Sequence, residues 1–66
     1  MKLTINGEVR EVPEGLTVAG VLDVVGAPHR GVAVARNERV VARVEYDSHR
    51  VADGDRIEII KAVAGG

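Results

Sequence analysis

Cysteine is absent from this 66-residue chain. With it go disulfides, thiolate metal sites, a cysteine nucleophile and any thiol of the chain's own that could hold sulfur. Covalent chemistry, if there is any, falls to another group. Phe and Trp are also missing and Tyr46 is the one aromatic residue, so a core must come from aliphatic side chains, with Tyr46 expected as a lid over its edge. No apolar run approaches the ~20 residues that span a bilayer, and Met1 leads straight into an alternating segment instead of a signal-peptide core. The chain therefore reads as cytoplasmic, with no membrane association. A surplus of one charge is lacking too: nine Lys and Arg face ten Asp and Glu, for a formal net charge of -1. Without the basic excess of a phosphate-backbone binder, nucleic acid is not an expected partner. The length allows one domain near the lower limit for a single unassisted core, which leaves no room for a deep enzyme cavity. A protein of this size works by presenting a surface or an end to something larger, and is expected to be a monomer when free.

What is present is regular patterning. Met1, Leu3 and Ile5 alternate with Lys2, Thr4 and Asn6, the period-two signature of a half-buried strand. Asn6-Gly7 supplies the positive backbone angles of a tight hairpin turn. On the return strand Val9 and Val12 fall out of alternation, which predicts a small bulge or an early strand end before Pro13. Thr17 can cap a helix, with Leu16 packing on Val21 as a hydrophobic staple. Val18, Val21, Leu22 and Val25 then repeat at i, i+3, i+4 and i+7, until Gly26 and Pro28 stop the stripe. Gly20 and four valines make this helix poor by intrinsic propensity, so it depends on packing against a sheet.

"GVAVARNERVVARV" predicts two further strands, about Val32 to Arg36 and Val40 to Arg43, joined through Asn37-Glu38. "EYDSHRVADGD" is mostly turn, with Asp53-Gly54-Asp55 supplying turn geometry, and "RIEII" is a final strand with Ile57 and Ile59 inward and Ile60 outward. One helix covers one sheet face and leaves the other open. Val40 or Val41, with Ile60 and Val63, could form an apolar partner surface there, although scattered exposed apolar residues are also normal. Arg30, Arg36, Arg39 and Arg43 make the middle of the chain basic, more simply a solvated strand face than a dock for an acidic partner.

The chain closes on "KAVAGG". Two terminal glycines add no packing and resist being fixed, so this end is suited to staying loose. Taken alone the dipeptide fits a frayed terminus or an artificial boundary better than a functional end. The combination is more specific. "INGE" in the first hairpin, "GLTVAGVLDVVG" for the helix, "VAVARNERVVAR" for the middle strands and "DGDRIEI" leading to "VAGG" together resemble the ubiquitin-like β-grasp sulfur carriers. Within them the chain most resembles the ThiS-like carriers of thiamin thiazole synthesis, over essentially its whole length. Ala42 departs from the pattern, where many relatives have proline in a "VPR" triplet; a change at a strand edge is expected, with the chemistry untouched.

That resemblance implies an α+β fold, a mixed sheet of four to five strands with one main helix on one face. Residues 1–63 would form the β-grasp domain and 64–66 a flexible Ala-Gly-Gly tail. It further implies that a partner, an E1-like (ThiF-like) adenylating enzyme using ATP and magnesium, converts the Gly66 carboxylate to an acyl-adenylate. Sulfur from a donor such as a cysteine desulfurase would then leave a thiocarboxylate, which gives its sulfur to a ThiG-like thiazole synthase. Ala64, Gly65 and Gly66 are slim enough to thread a narrow channel. The chain would thus be a carrier with no cofactor of its own, and no enzyme. Related carriers serve molybdopterin synthesis and tRNA thiolation, and a ubiquitin-like protein modifier would use the same end; no physical feature of the residues names the acceptor.

Other candidate chemistry is thin. His29 and His49 are isolated, without a carboxylate constellation, and read as surface residues. Asp53 and Asp55 lack the remaining ligands of a calcium loop. No paired acid and base and no activated nucleophile can be read from the sequence, and no metal site is expected.

Overall fold

The computed structural model describes residues 1–61. The expected limit of the folded body at residue 63 and the 64–66 tail lie outside them. Strand β1 (Lys2–Ile5) turns through Asn6 and Gly7 into β2 (Glu8–Glu11). Helix α1 (Val18–Val25) follows, then β3 (Val32–Arg36), β4 (Arg39–Val41), a short 3-10 turn at Arg43–Glu45, and β5 (Arg56–Lys61). The five strands form one sheet in the order β2-β1-β5-β3-β4. β5 runs parallel to β1 and antiparallel to β3, so the sheet is mixed and its last strand is its middle one. This is the β-grasp arrangement: two hairpins joined through a central strand, with one helix across one face.

Local chemistry explains the elements. Asn6 and Gly7 take φ of 50° and 82°, and Asn37 and Glu38 take 51° and 71°, the left-handed pairs whose twist matches that of hairpin strands. At the helix start the Thr17 hydroxyl accepts from the Gly20 amide at 3.2 Å. The Val18 and Ala19 amides donate to the carbonyls of His49 and Tyr46 at 2.9 and 2.8 Å. The helix therefore spends its free amide groups on the long loop before β5 and ties that loop down. At the other end Gly26 sits at φ 73°. Its amide bonds the Asp23 carbonyl, and the Ala27 amide bonds that of Leu22, a left-handed C-terminal cap that glycine enters without strain.

Leu3, Ile5, Val18, Val21, Leu22, Val34 and Ile57 are buried in one cluster, as their spacing required. Leu16 packs against that cluster and lies over Gly20, where an added Cβ would meet its side chain at 3.0 Å. Some expectations need correction. Of the two alternatives for the first hairpin the bulge is absent, since Leu3 pairs with Arg10 and Thr4 with Val9 in regular register, and the early end holds: β2 stops at Glu11, before Pro13, with the Val12 amide still donating to the Met1 carbonyl at 2.8 Å. Val9 and Val12 break alternation because they serve opposite faces, Val12 the core and Val9 the solvent. Tyr46 is more than a lid; it is buried in the cluster and its hydroxyl donates to the Val32 carbonyl at 3.2 Å. β4 ends at Val41, not Arg43, because Ala42 leads into the 3-10 turn with φ −66° and ψ 138°.

Candidate functional site

The strand that leads to the chain's end is gripped from both sides. Toward β3, residues Ile57 to Lys61 pair with Arg36 to Val32. Toward β1 the pairing is shorter, Thr4 with Arg56 and Ile5 with Ile57, because β1 turns away at Asn6. Side chains fill the gap. The Asn6 carboxamide accepts from the Ile59 amide at 2.8 Å and donates to the Ile59 carbonyl at 3.2 Å. At the strand's start Asn37 accepts from the Arg56 amide at 2.8 Å and donates to the Asp55 carboxylate at 3.0 Å. Both asparagines stand out in the sequence as turn residues; their second use, spanning 53 and 19 positions, has no local signature.

Asp55 anchors this grip. It is 7% exposed and accepts from Arg36 Nε at 2.6 Å, the Ala52 amide at 2.7 Å and Asn37. Burial by itself pushes its carboxyl upward, but the hydrogen bonds from Arg36, Asn37 and Ala52, with the Arg36 charge, outweigh it and hold the group below the usual aspartate value. Arg36 also reaches His49, Nη1 to Nε2, at 3.4 Å. Asp53 uses its side chain to accept from the Lys2 amide at 2.6 Å, so both aspartates around Gly54 serve the turn.

The sheet face opposite the helix is uncovered by the rest of the described chain. Val40 is 81% exposed and Ile60 62%. Register brings them close: Val40 pairs with Ala35, and Ile60 pairs with Ala33 on the same strand β3. Val41 does not belong to this surface. It is 4% exposed, because it pairs with Val34 and a neighbour in a strand points to the opposite side. Val63, Ala64, Gly65 and Gly66 lie outside the described residues. Arg39 and Val40 also border a groove of about 410 Å³ with Arg36 and His49. A second groove of about 460 Å³ opens beside the end of β5, among Ile5, Asn6, Arg10, Val25, Ile59 and Lys61.

Over residues 3–66 the sequence matches the ThiS family. The chain belongs to the ThiS family. Among relatives of this ThiS-family chain, the sulfur carrier protein ThiS of Escherichia coli K12 is 32% identical, with all of both chains covered. A thiazole synthase of Paramagnetospirillum magneticum is 42% identical over the whole of this chain, which spans 20% of that protein's length. The crystal structure of the thiamine biosynthesis protein ThiS from Geobacter metallireducens superimposes with a TM-score of 0.85 at 33% identity, covering all of both chains. The chain thus has the ubiquitin-like β-grasp fold of the ThiS family.

Both histidines of this ThiS-family body lie beside carboxylates of the chain. His29 Nε2 meets the exposed Asp23 at 2.7 Å. His49 is half-buried between Arg36 and Glu45, the latter 3.9 Å from Nδ1. Among the described residues no group of three or more metal-ligating side chains converges. No helix among them is long and apolar enough to cross a membrane.

Proposed function

We propose that this chain carries sulfur on the carboxyl carbon of Gly66 and delivers it to the enzyme that builds the thiazole ring of thiamin. The observation that carries the reading is a family match running unbroken from residue 3 to Gly66, with full coverage of the E. coli sulfur carrier. The thiazole synthases that contain a segment like this one support the choice of acceptor: a carrier encoded within its acceptor enzyme works at that enzyme.

The chemistry follows from the group. A carboxylate is a poor electrophile because its charge is delocalised, so the partner E1-like enzyme first joins it to ATP, releasing pyrophosphate and leaving an acyl-adenylate. A persulfide sulfur of the donor, such as a cysteine desulfurase, attacks the acyl carbon and AMP departs. A second thiol then cleaves the S–S bond, and the terminal thiocarboxylate remains as an anionic nucleophile. This chain's part is to present its end and to be recognised; it is a cosubstrate, recharged after each transfer. Ala64, Gly65 and Gly66 carry little or no side chain, which suits a narrow partner channel. The open sheet face around Val40 and Ile60 is the surface on which partners dock.

The test is to incubate the protein with ATP, magnesium, a thiazole-pathway adenylating enzyme and its sulfur donor, and to weigh the intact product. Replacement of one oxygen by sulfur at Gly66 is the expected result. An unchanged mass there, together with thiocarboxylate formed by a molybdopterin-pathway enzyme, or conjugation to other proteins, would replace this reading with another member of the same fold family.

A further inference from the structure

We infer that Asn6 is a positioning residue for adenylation: its carboxamide fixes the outgoing half of β5 and thereby sets where the reactive end leaves the body. The inference rests on the carrier reading above. Its ground is the asymmetry of the sheet around β5. The Asn6 amide itself donates to the Ile57 carbonyl at 2.9 Å, after which β1 departs into its turn. Strand geometry then aims the amide and carbonyl of Ile59 at the side β1 has vacated. Both are met by one side chain, the amide at 2.8 Å and the carbonyl at 3.2 Å. Asn6 thus supplies the two hydrogen bonds a continuing strand would have made.

The substitution is selective because the turn and the clamp make different demands. The turn needs a residue that tolerates φ 50°, which glycine and aspartate also do. The clamp needs an acceptor and a donor on one planar group, which aspartate half supplies and glycine lacks. Without the clamp, β5 beyond Ile57 keeps its partner on one side alone. The stretch between docked body and terminus lengthens, and the effective concentration of the carboxylate at the partner's active site falls.

The experiment compares wild type, Asn6→Gly and Asn6→Asp by amide hydrogen exchange and by adenylation kinetics with a thiazole-pathway adenylating enzyme. A Val21→Ala variant serves as a control that loosens the core without touching β5. Protection of the Ile59 amide is expected to fall in the order Asn, Asp, Gly. The kcat for carrier-dependent ATP–pyrophosphate exchange should fall about three- to tenfold in Asn6→Gly, with KM for the carrier changed less than about twofold, since the docking face is intact and β5 is less fixed. Asn6→Asp should recover part of the loss, and Val21→Ala should keep kcat despite a lowered Tm. If Asn6→Gly retains full Ile59 protection, or loses it with kcat unchanged, the positioning role is wrong. If wild type itself forms no adenylate, the carrier reading falls and this inference with it.

Discussion

Replacing Asp55 by Asn keeps its shape but removes the charge that holds β5 to the β3–β4 hairpin. The carboxylate receives three hydrogen bonds, from Arg36 Nε, Asn37 Nδ2 and the Ala52 amide. Arg36 and Ala52 share Oδ2 while Asn37 uses Oδ1, so an amide, which accepts on one oxygen alone, turns its own donors toward either Asn37 or both Arg36 and Ala52. Breaking a buried ion pair from one side costs about 3–5 kcal/mol, but the Arg36 side chain is 30% exposed, and water recovers part of its solvation. A loss of about 2–3 kcal/mol is expected. For 66 residues, unfolding entropy near ~2.1 cal/mol/K per residue gives about 0.14 kcal/mol/K, so Tm should drop by about 15–20 °C. The pH dependence adds a second check. Asp55 is more acidic folded than unfolded, so its contribution is complete above the unfolded value of ~3.9 and is lost as pH falls through the lower folded value. Urea unfolding of wild type and Asp55→Asn at several pH values between neutrality and pH ~3 should show a constant gap that narrows below pH ~4. A gap under about 0.5 kcal/mol at neutral pH, within the range of ordinary surface substitutions, would refute this account of the anchor. So would a gap that fails to narrow in acid.

Four further outcomes follow from the same structure. Gly65→Leu should abolish adenylation in the intact-mass assay while leaving the urea midpoint unchanged, since the core cluster runs from Leu3 to Ile57. Val40→Asp should weaken partner engagement, read as a KM for the carrier raised about tenfold or more, while costing under about 1 kcal/mol of stability. Val41→Asp should instead cost more than about 3 kcal/mol, because it buries an unpaired charge. Ala42→Pro should stabilise by about 0.4–1 kcal/mol in thermal melts, since Ala42 already has φ −66° and follows a residue in extended conformation.

The parts of this fold that could be read in advance are those in which a short stretch decides its own fate. Leu3 and Ile5, or Val18, Val21 and Leu22, declare their buried face by spacing, and Asn6-Gly7 and Gly26 declare a turn and a stop. Val40 and Val41 could not be assigned to faces from sequence, because β4 has three residues and either phase fits so short a pattern. Val9 and Val12 misled for a related reason: both are apolar, yet one faces solvent. The polar framework around β5 was out of reach altogether. Arg36, Asn37 and Asp55 meet across 18 or 19 positions and Asn6 meets Ile59 across 53, and each contact arises from sheet order, not from neighbours in sequence. The proposed reactive end rests on family likeness: glycines 65 and 66 gain meaning only with the preceding body.

The place of β5 between β1 and β3 also governs when the molecule can come into being. A nascent chain halted before Arg56 holds two hairpins whose inner edges face no partner, and isolated two-stranded ribbons are marginal in water. β5 must therefore have left the ribosome before the globule can close. Translation products cut short within the final strand are therefore expected to stay open and to be cut readily by proteases.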